Sequence, residues 1–109
     1  MEIKQAVVAL TALAQESRLR VFRLLVPAGD AGMPAGEIAE RLAIPPATLT
    51  FHLKELAHAG LVEARRDGRS IIYSLRCRAM GELLTFLAND CCKGQAQLCG
   101  IAAPKSRRG

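Results

Sequence analysis

Cys91, Cys92 and Cys99 are the residues best able to do chemistry. Two are adjacent, and the polar Lys93–Leu98 connection can bring the third round to them. Thiolate is a soft ligand, suited to zinc, copper(I), cadmium or a thiophilic metalloid. A closed tetrahedral zinc site wants four ligands, and no histidine stands near the three sulfurs; Asp90 is a weak fourth. Trivalent arsenic or antimony keeps a lone pair in place of a fourth ligand and fits three thiolates better. Another thiophilic metal is a rival. So is a redox switch, since thiolates beside a resolving cysteine form a sensor arrangement. The bland alternative, incidental tail cysteines, leaves three thiols in a polar segment unexplained by packing. Cys77, alone between Arg76 and Arg78, reads as a lone structural or surface cysteine.

A second chemistry is cationic. Arg65, Arg66 and Arg69 crowd Asp67-Gly68, between the extended runs Leu61–Arg66 and Arg69–Leu75. Asp-Gly between two such runs signals a hairpin, with a type I′ turn that needs positive φ at both positions. Ile71, Tyr73 and Leu75 alternate with Ser70, Ile72 and Ser74. A cationic hairpin can follow a phosphate backbone or reach a minor groove; otherwise it is a solvated charged turn.

The element that would aim this chemistry lies just before the hairpin. Pro45-Pro46 suits a helix start and Gly60 a helix stop. Between them Leu49, Leu53 and Leu56 form one apolar stripe. The opposite surface carries Ala47, Thr48, Phe51, Lys54 and His58, with Thr50 and His52 on the flanks. Such a helix can enter a DNA major groove, or it is an ordinary amphipathic surface helix. A short helix from Ala35 or Gly36 through Leu42 precedes it, with Ile38 and Leu42 inward and Ala43-Ile44-Pro45 as a tight connection. Helix, short turn and helix form the helix-turn-helix pattern.

The remaining elements are helical. Ile3, Val7, Leu10 and Ala14 mark a first helix from Glu2 to about Ala14 with a broad apolar face. Ser17 reads as the cap of a second, with Leu19, Phe22 and Val26 inward, Leu25 beside them, and a stop near Val26, because Pro27 cannot continue it. The last helix runs from about Arg78 to Asp90 with Met80, Leu83, Leu84 and Leu87 as its stripe. The first and last helices are the natural surfaces of a two-fold dimer able to address a symmetric operator. The fold expected is mainly α with a β-hairpin wing, in the order α-α-α-α-β-β-α. Residues 1–90 are expected to form the DNA-binding and dimerisation domain, and residues 91–109 a flexible tail carrying the cysteines.

The chain has 109 residues, a formal net charge of +5 and a pI near 9.4, compatible with a polyanion partner. No secretory segment opens it, and no run approaches the roughly 20 apolar residues of a membrane span. A cytoplasmic protein with reduced thiols and no membrane association is expected. No serine–histidine–acid set, carboxylate pair or phosphate loop is present, so an enzyme is not expected.

Thr48–Val62, followed by Arg65-Arg66-Asp67-Gly68-Arg69 and Tyr73, resembles the recognition helix and wing of the ArsR/SmtB family of winged-helix repressors. Leu13–Arg20 resembles the start of that family's second helix, and Gly36-Glu37-Ile38-Ala39 its third. The resemblance spans about residues 5–90. It implies a homodimer through the first and last helices, bound to double-stranded operator DNA until an inducer releases it. The family's cysteine pair near the third helix has no counterpart in Gly36–Leu42, and Arg78–Asp90 lacks its zinc pattern on the last helix. Cys91, Cys92 and Cys99 instead resemble the subgroup whose vicinal pair ends the last helix and responds to As(III) and Sb(III). The implied function is an arsenite-responsive repressor. Thr48, Thr50, Phe51 and His52 would face base edges, Phe51 against a thymine methyl or half-buried under the wing. Lys54, Arg65, Arg66 and Arg69 would contact phosphates. The alternatives are a repressor sensing redox state or another metal, and a thiol metalloid-binding protein with no operator.

Overall fold

The computed structural model describes residues 1–92, with side chains through Asn89. The Cys99 segment and the basic end of the tail lie outside them. The elements are α1 (Ile3–Leu13), α2 (Glu16–Ala28), a short 3-10 turn (Gly29–Ala31), β1 (Met33–Pro34), α3 (Ala35–Leu42), α4 (Pro46–His58), β2 (Val62–Asp67), β3 (Ser70–Leu75) and α5 (Cys77–Cys92). This is the expected winged helix-turn-helix order with one strand added.

α4 follows the sequence closely. Pro46 opens it, where a missing N–H costs nothing. Leu49, Leu53 and Leu56 are buried with Val21, Leu25, Ile38 and Leu61 in the centre of the core. The turn from α3 is set by Ala43, which takes a left-handed φ of 54°. Its amide and that of Ile44 close onto the end of α3 through Glu40 and Ala39. Arg20 of α2 adds a hydrogen bond to the Leu42 carbonyl at 3.2 Å, satisfying one of the acceptors a helix C-terminus leaves open.

The hairpin contains a third strand and a different turn. β1 pairs antiparallel with β3, Met33 opposite Tyr73, so β3 is central in the order β1-β3-β2. Strands flank β3 on both edges, and α2, α3 and the 3-10 turn pack against it, so Ile72, Tyr73, Ser74 and Leu75 are all buried where the sequence predicts alternation. Asp67 pairs with Ser70, leaving Gly68 and Arg69 as the loop. Gly68 has φ 64°, and Arg69 is not among the positive-φ residues. Glycine with positive φ at the first loop position alone is the type II′ pattern rather than type I′.

Two helical faces are rotated from expectation. α1 buries Ala6, Ala9 and Ala12 and leaves Ile3, Val7, Val8 and Leu10 exposed. Small residues let it lie close to α2 and α4, with its larger side chains turned outward. α2 buries Val21 and Leu25, while Leu19 and Val26 are exposed. It starts at Glu16, and the Gln15 side chain, not Ser17, caps it by accepting from the Arg18 amide. Pro27 lies within the last turn, and the helix stops at Gly29, φ 61°.

Candidate nucleic-acid interface and the thiol segment

Helical geometry divides α4 into a leucine seam and an outer face. Thr48, Thr50, Phe51 and Lys54 are exposed on that face, Phe51 to 55%. The Thr50 hydroxyl donates to the Pro46 carbonyl at 2.9 Å, so its oxygen faces solvent as an acceptor. Arg65, Arg66 and Arg69 are exposed on the wing. Among the described residues the one ion pair is Arg41–Glu37, so Lys54, Arg66 and Arg69 have no carboxylate partner there.

Two of the expected contacts are placed differently. His52 is only 7% exposed, packed inward beside the leucine seam. Its Nδ1 accepts a hydrogen bond from Arg18 Nε at 3.1 Å. It is therefore not available to base edges, a correction set by the 100° step between neighbouring helical positions, which turns it toward α2 while Phe51 points outward. Arg65 bends back instead of reaching forward: Nη2 donates to the Ala31 carbonyl at 2.8 Å and Nη1 to that of Asp30 at 3.3 Å. It ties the wing to the turn before β1.

Arg18, which sequence patterning did not single out, touches three elements. It donates to His52, lies with its guanidinium carbon 5.5 Å from the Phe51 ring centroid, and reaches the Ala12 carbonyl of α1 at 3.4 Å. A cation at the start of an amphipathic helix usually reads as solvated, and nothing local marks it otherwise.

Burial, and secondarily the Arg18 charge, lower the His52 pKa from its ordinary 6.5. The ring must be neutral at Nδ1 to accept from Arg18. With the folded value below the unfolded one, the unfolded chain binds the extra proton. The contribution of His52 to stability is therefore fully present above about pH 6.5 and is lost as pH falls through the lower folded value. Melting followed by circular dichroism should show a steeper acid decline for the wild type than for His52→Asn, which keeps an acceptor but cannot titrate. Parallel declines would disconnect His52 from the acid loss.

Cys91 and Cys92 occupy the last two positions of α5, which runs past the expected Asp90 end. Their side chains, and Cys99, lie outside what the structure describes. Cys77 is exposed at the first position of α5. No group of three or more potential metal ligands occurs among the described residues, and no described helix is long and apolar enough to cross a membrane.

Residues 13–65 match the family described as a helix-turn-helix domain. The transcriptional activator HlyU of Vibrio cholerae is 36% identical over 83 residues, covering 73% of this chain and 74% of its own length. An ArsR-like transcriptional regulator from Rhodococcus sp. RHA1 superposes with TM-score 0.73 at 26% identity, covering 90% of both chains. The homodimeric winged helix-turn-helix domain of Mb0332 from Mycobacterium bovis, a possible ArsR-family regulator, superposes with TM-score 0.65 at 28% identity, covering 81% of both.

Proposed function

This chain belongs to the ArsR/SmtB family of winged-helix transcription regulators, and we propose that it is a homodimeric repressor released from its operator by trivalent arsenic or antimony. It is a regulator and not an enzyme. The observation that carries the DNA reading is the exposed face of α4 beside a wing whose Arg66 and Arg69 have no carboxylate partner among the described residues. Thr48, Thr50 and Phe51 would meet base edges in the major groove, the Phe51 ring suiting a thymine methyl. Lys54, Arg66 and Arg69 would supply phosphate contacts and most of the salt-dependent affinity. Arg65 joins them only by leaving its carbonyl acceptors, so its main effect is on the pose of the wing.

Dimerisation is supported by the outward side chains of α1 and by exposed Leu84 on α5. The Mb0332 domain is homodimeric. Two α4 helices related by a two-fold axis would address a symmetric operator.

The inducer reading rests on the donor set. Cys91 and Cys92 end the helix expected to carry the dimer contact, and Cys99 is the third thiolate. Three sulfurs match a trivalent metalloid with a lone pair. For release, the metalloid must bind the DNA-free arrangement more tightly than the DNA-bound one. A factor of about 100 corresponds to roughly 2.7 kcal/mol.

Operator binding by the reduced protein, with and without arsenite, tests this against Cys92→Ser. The wild type should release DNA and the variant should hold it; equal release by both removes the thiol site. Release by peroxide without an arsenite response would favour a redox sensor, and failure to bind upstream DNA a thiol metalloid-binding protein. Salt titrations separate the arginines. Arg66→Ala should flatten the slope of log K against log salt by about one unit. Arg65→Ala should weaken binding with a smaller change in slope, and identical slopes for both would return Arg65 to the phosphate contacts.

A further inference from the structure

We infer that Arg18 is a positioning residue for the reading head, holding Phe51 and the pitch of α4 in register with α1. The inference rests on the DNA-binding reading above. It begins from the shape of the guanidinium, a rigid plane whose donors cannot move independently. One edge, Nε, is spent on His52 Nδ1 at 3.1 Å. A second donor, Nη1, reaches the Ala12 carbonyl at 3.4 Å. Ala12 lies in the last turn of α1, where carbonyls lack partners within the helix and the helix end is negative. The same group stands 5.5 Å from the centroid of Phe51. Phe51 is further set against His52, centroids 5.6 Å apart and planes 58° apart.

These contacts close a triangle. His52 is buried, so its ring cannot turn without moving the seam of Leu49, Leu53 and Leu56 around it. Arg18, half-buried in the first turn of α2, therefore has one fixed anchor on α4 and another on α1. Phe51 is the exposed aromatic on the outer face of α4, and its ring takes its orientation from the two groups beside it. A shift of α1 reaches Phe51 through one side chain. Lysine keeps the charge of Arg18 but has a single nitrogen, which cannot serve His52 and Ala12 from one plane.

The test uses the full-length protein and DNA that the wild type selects from a random-sequence pool. Arg18→Lys should bind that DNA about tenfold more weakly, with an unchanged salt slope and little change on unselected DNA. His52→Asn, which keeps an acceptor near the Nδ1 position, should stay within about twofold of wild type, whereas His52→Leu should lose about as much as Arg18→Lys. Wild-type affinity in Arg18→Lys overturns the inference. So does a slope lowered by one unit, which would make Arg18 a phosphate contact, and so do equal losses in His52→Asn and His52→Leu, a comparison that holds even if Arg18→Lys folds poorly. If the wild type enriches no DNA, the DNA-binding reading itself falls and takes the inference with it; enrichment with an unaffected Arg18→Lys overturns the inference alone.

Discussion

Gly32→Ala should destabilise the domain by about 3 kcal/mol or more, a large share of the roughly 5–15 kcal/mol that holds such a domain folded. Gly32 has φ 70° and ψ −162°, a region open to glycine and nearly closed to other residues. A Cβ there would also meet the Tyr73 carbonyl oxygen at 2.5 Å and its carbon at 3.0 Å. Tyr73 cannot retreat, because its backbone is paired with Met33 on one side and Ala64 on the other. Gly68 is the matched control. It has φ 64°, yet a Cβ would meet nothing within 4 Å. Gly68→Ala should cost only the positive-φ backbone strain, about 1–3 kcal/mol. Urea unfolding of the two variants separates conformation from collision. Equal losses would mean that the approach to Tyr73 contributes nothing.

The second large effect is expected on assembly. Val7→Glu places a carboxylate on the outward face of α1, beside Ile3, Val8 and Leu10, all exposed in the single chain. Burying that charge in a two-fold contact would put two like charges near each other without partners. Sedimentation should show a monomer for the variant and, for the wild type, the dimer proposed above. The helix itself should survive, because Ala6, Ala9 and Ala12 still face the core. Operator affinity should fall by about 100-fold, as the second half-site contact loses its effective concentration. A dimer that persists unchanged at the same protein concentration would remove α1 from the interface.

Parts of this architecture are legible because they depend on neighbours along the chain. Pro46, the leucine spacing of α4 and Gly60 at its end report backbone preference and helical period, and the structure follows them. The hairpin is legible for the same reason, although strand pairing moves its loop one residue on, to Gly68-Arg69. The outer face of α4 is readable as a face, but not the fate of each side chain on its flank. Thr50 and His52 both border it, and one is exposed while the other is buried. What separates them is α2, which brings Arg18 to within 3.1 Å of His52 from 34 positions earlier in the chain.

The cysteines return to the same distinction. Their types and spacing alone determine that this chain carries a cluster of soft sulfur donors at the end of its last helix and beyond it. The period of α4 and the turn residues around it alone determine a helix-turn-helix with a cationic wing. Tertiary structure decided which face of α1 is spent on the core, because alanines permit a close approach to α2 and α4 that valines do not. It made β3 a central strand by adding β1, a pair of residues too short to carry a period. It turned Arg65 and Arg18 from free cations into ties between elements, since a guanidinium goes wherever the fold leaves carbonyls and imidazole nitrogens without donors. Those acceptors exist only once helices end and pack beside one another.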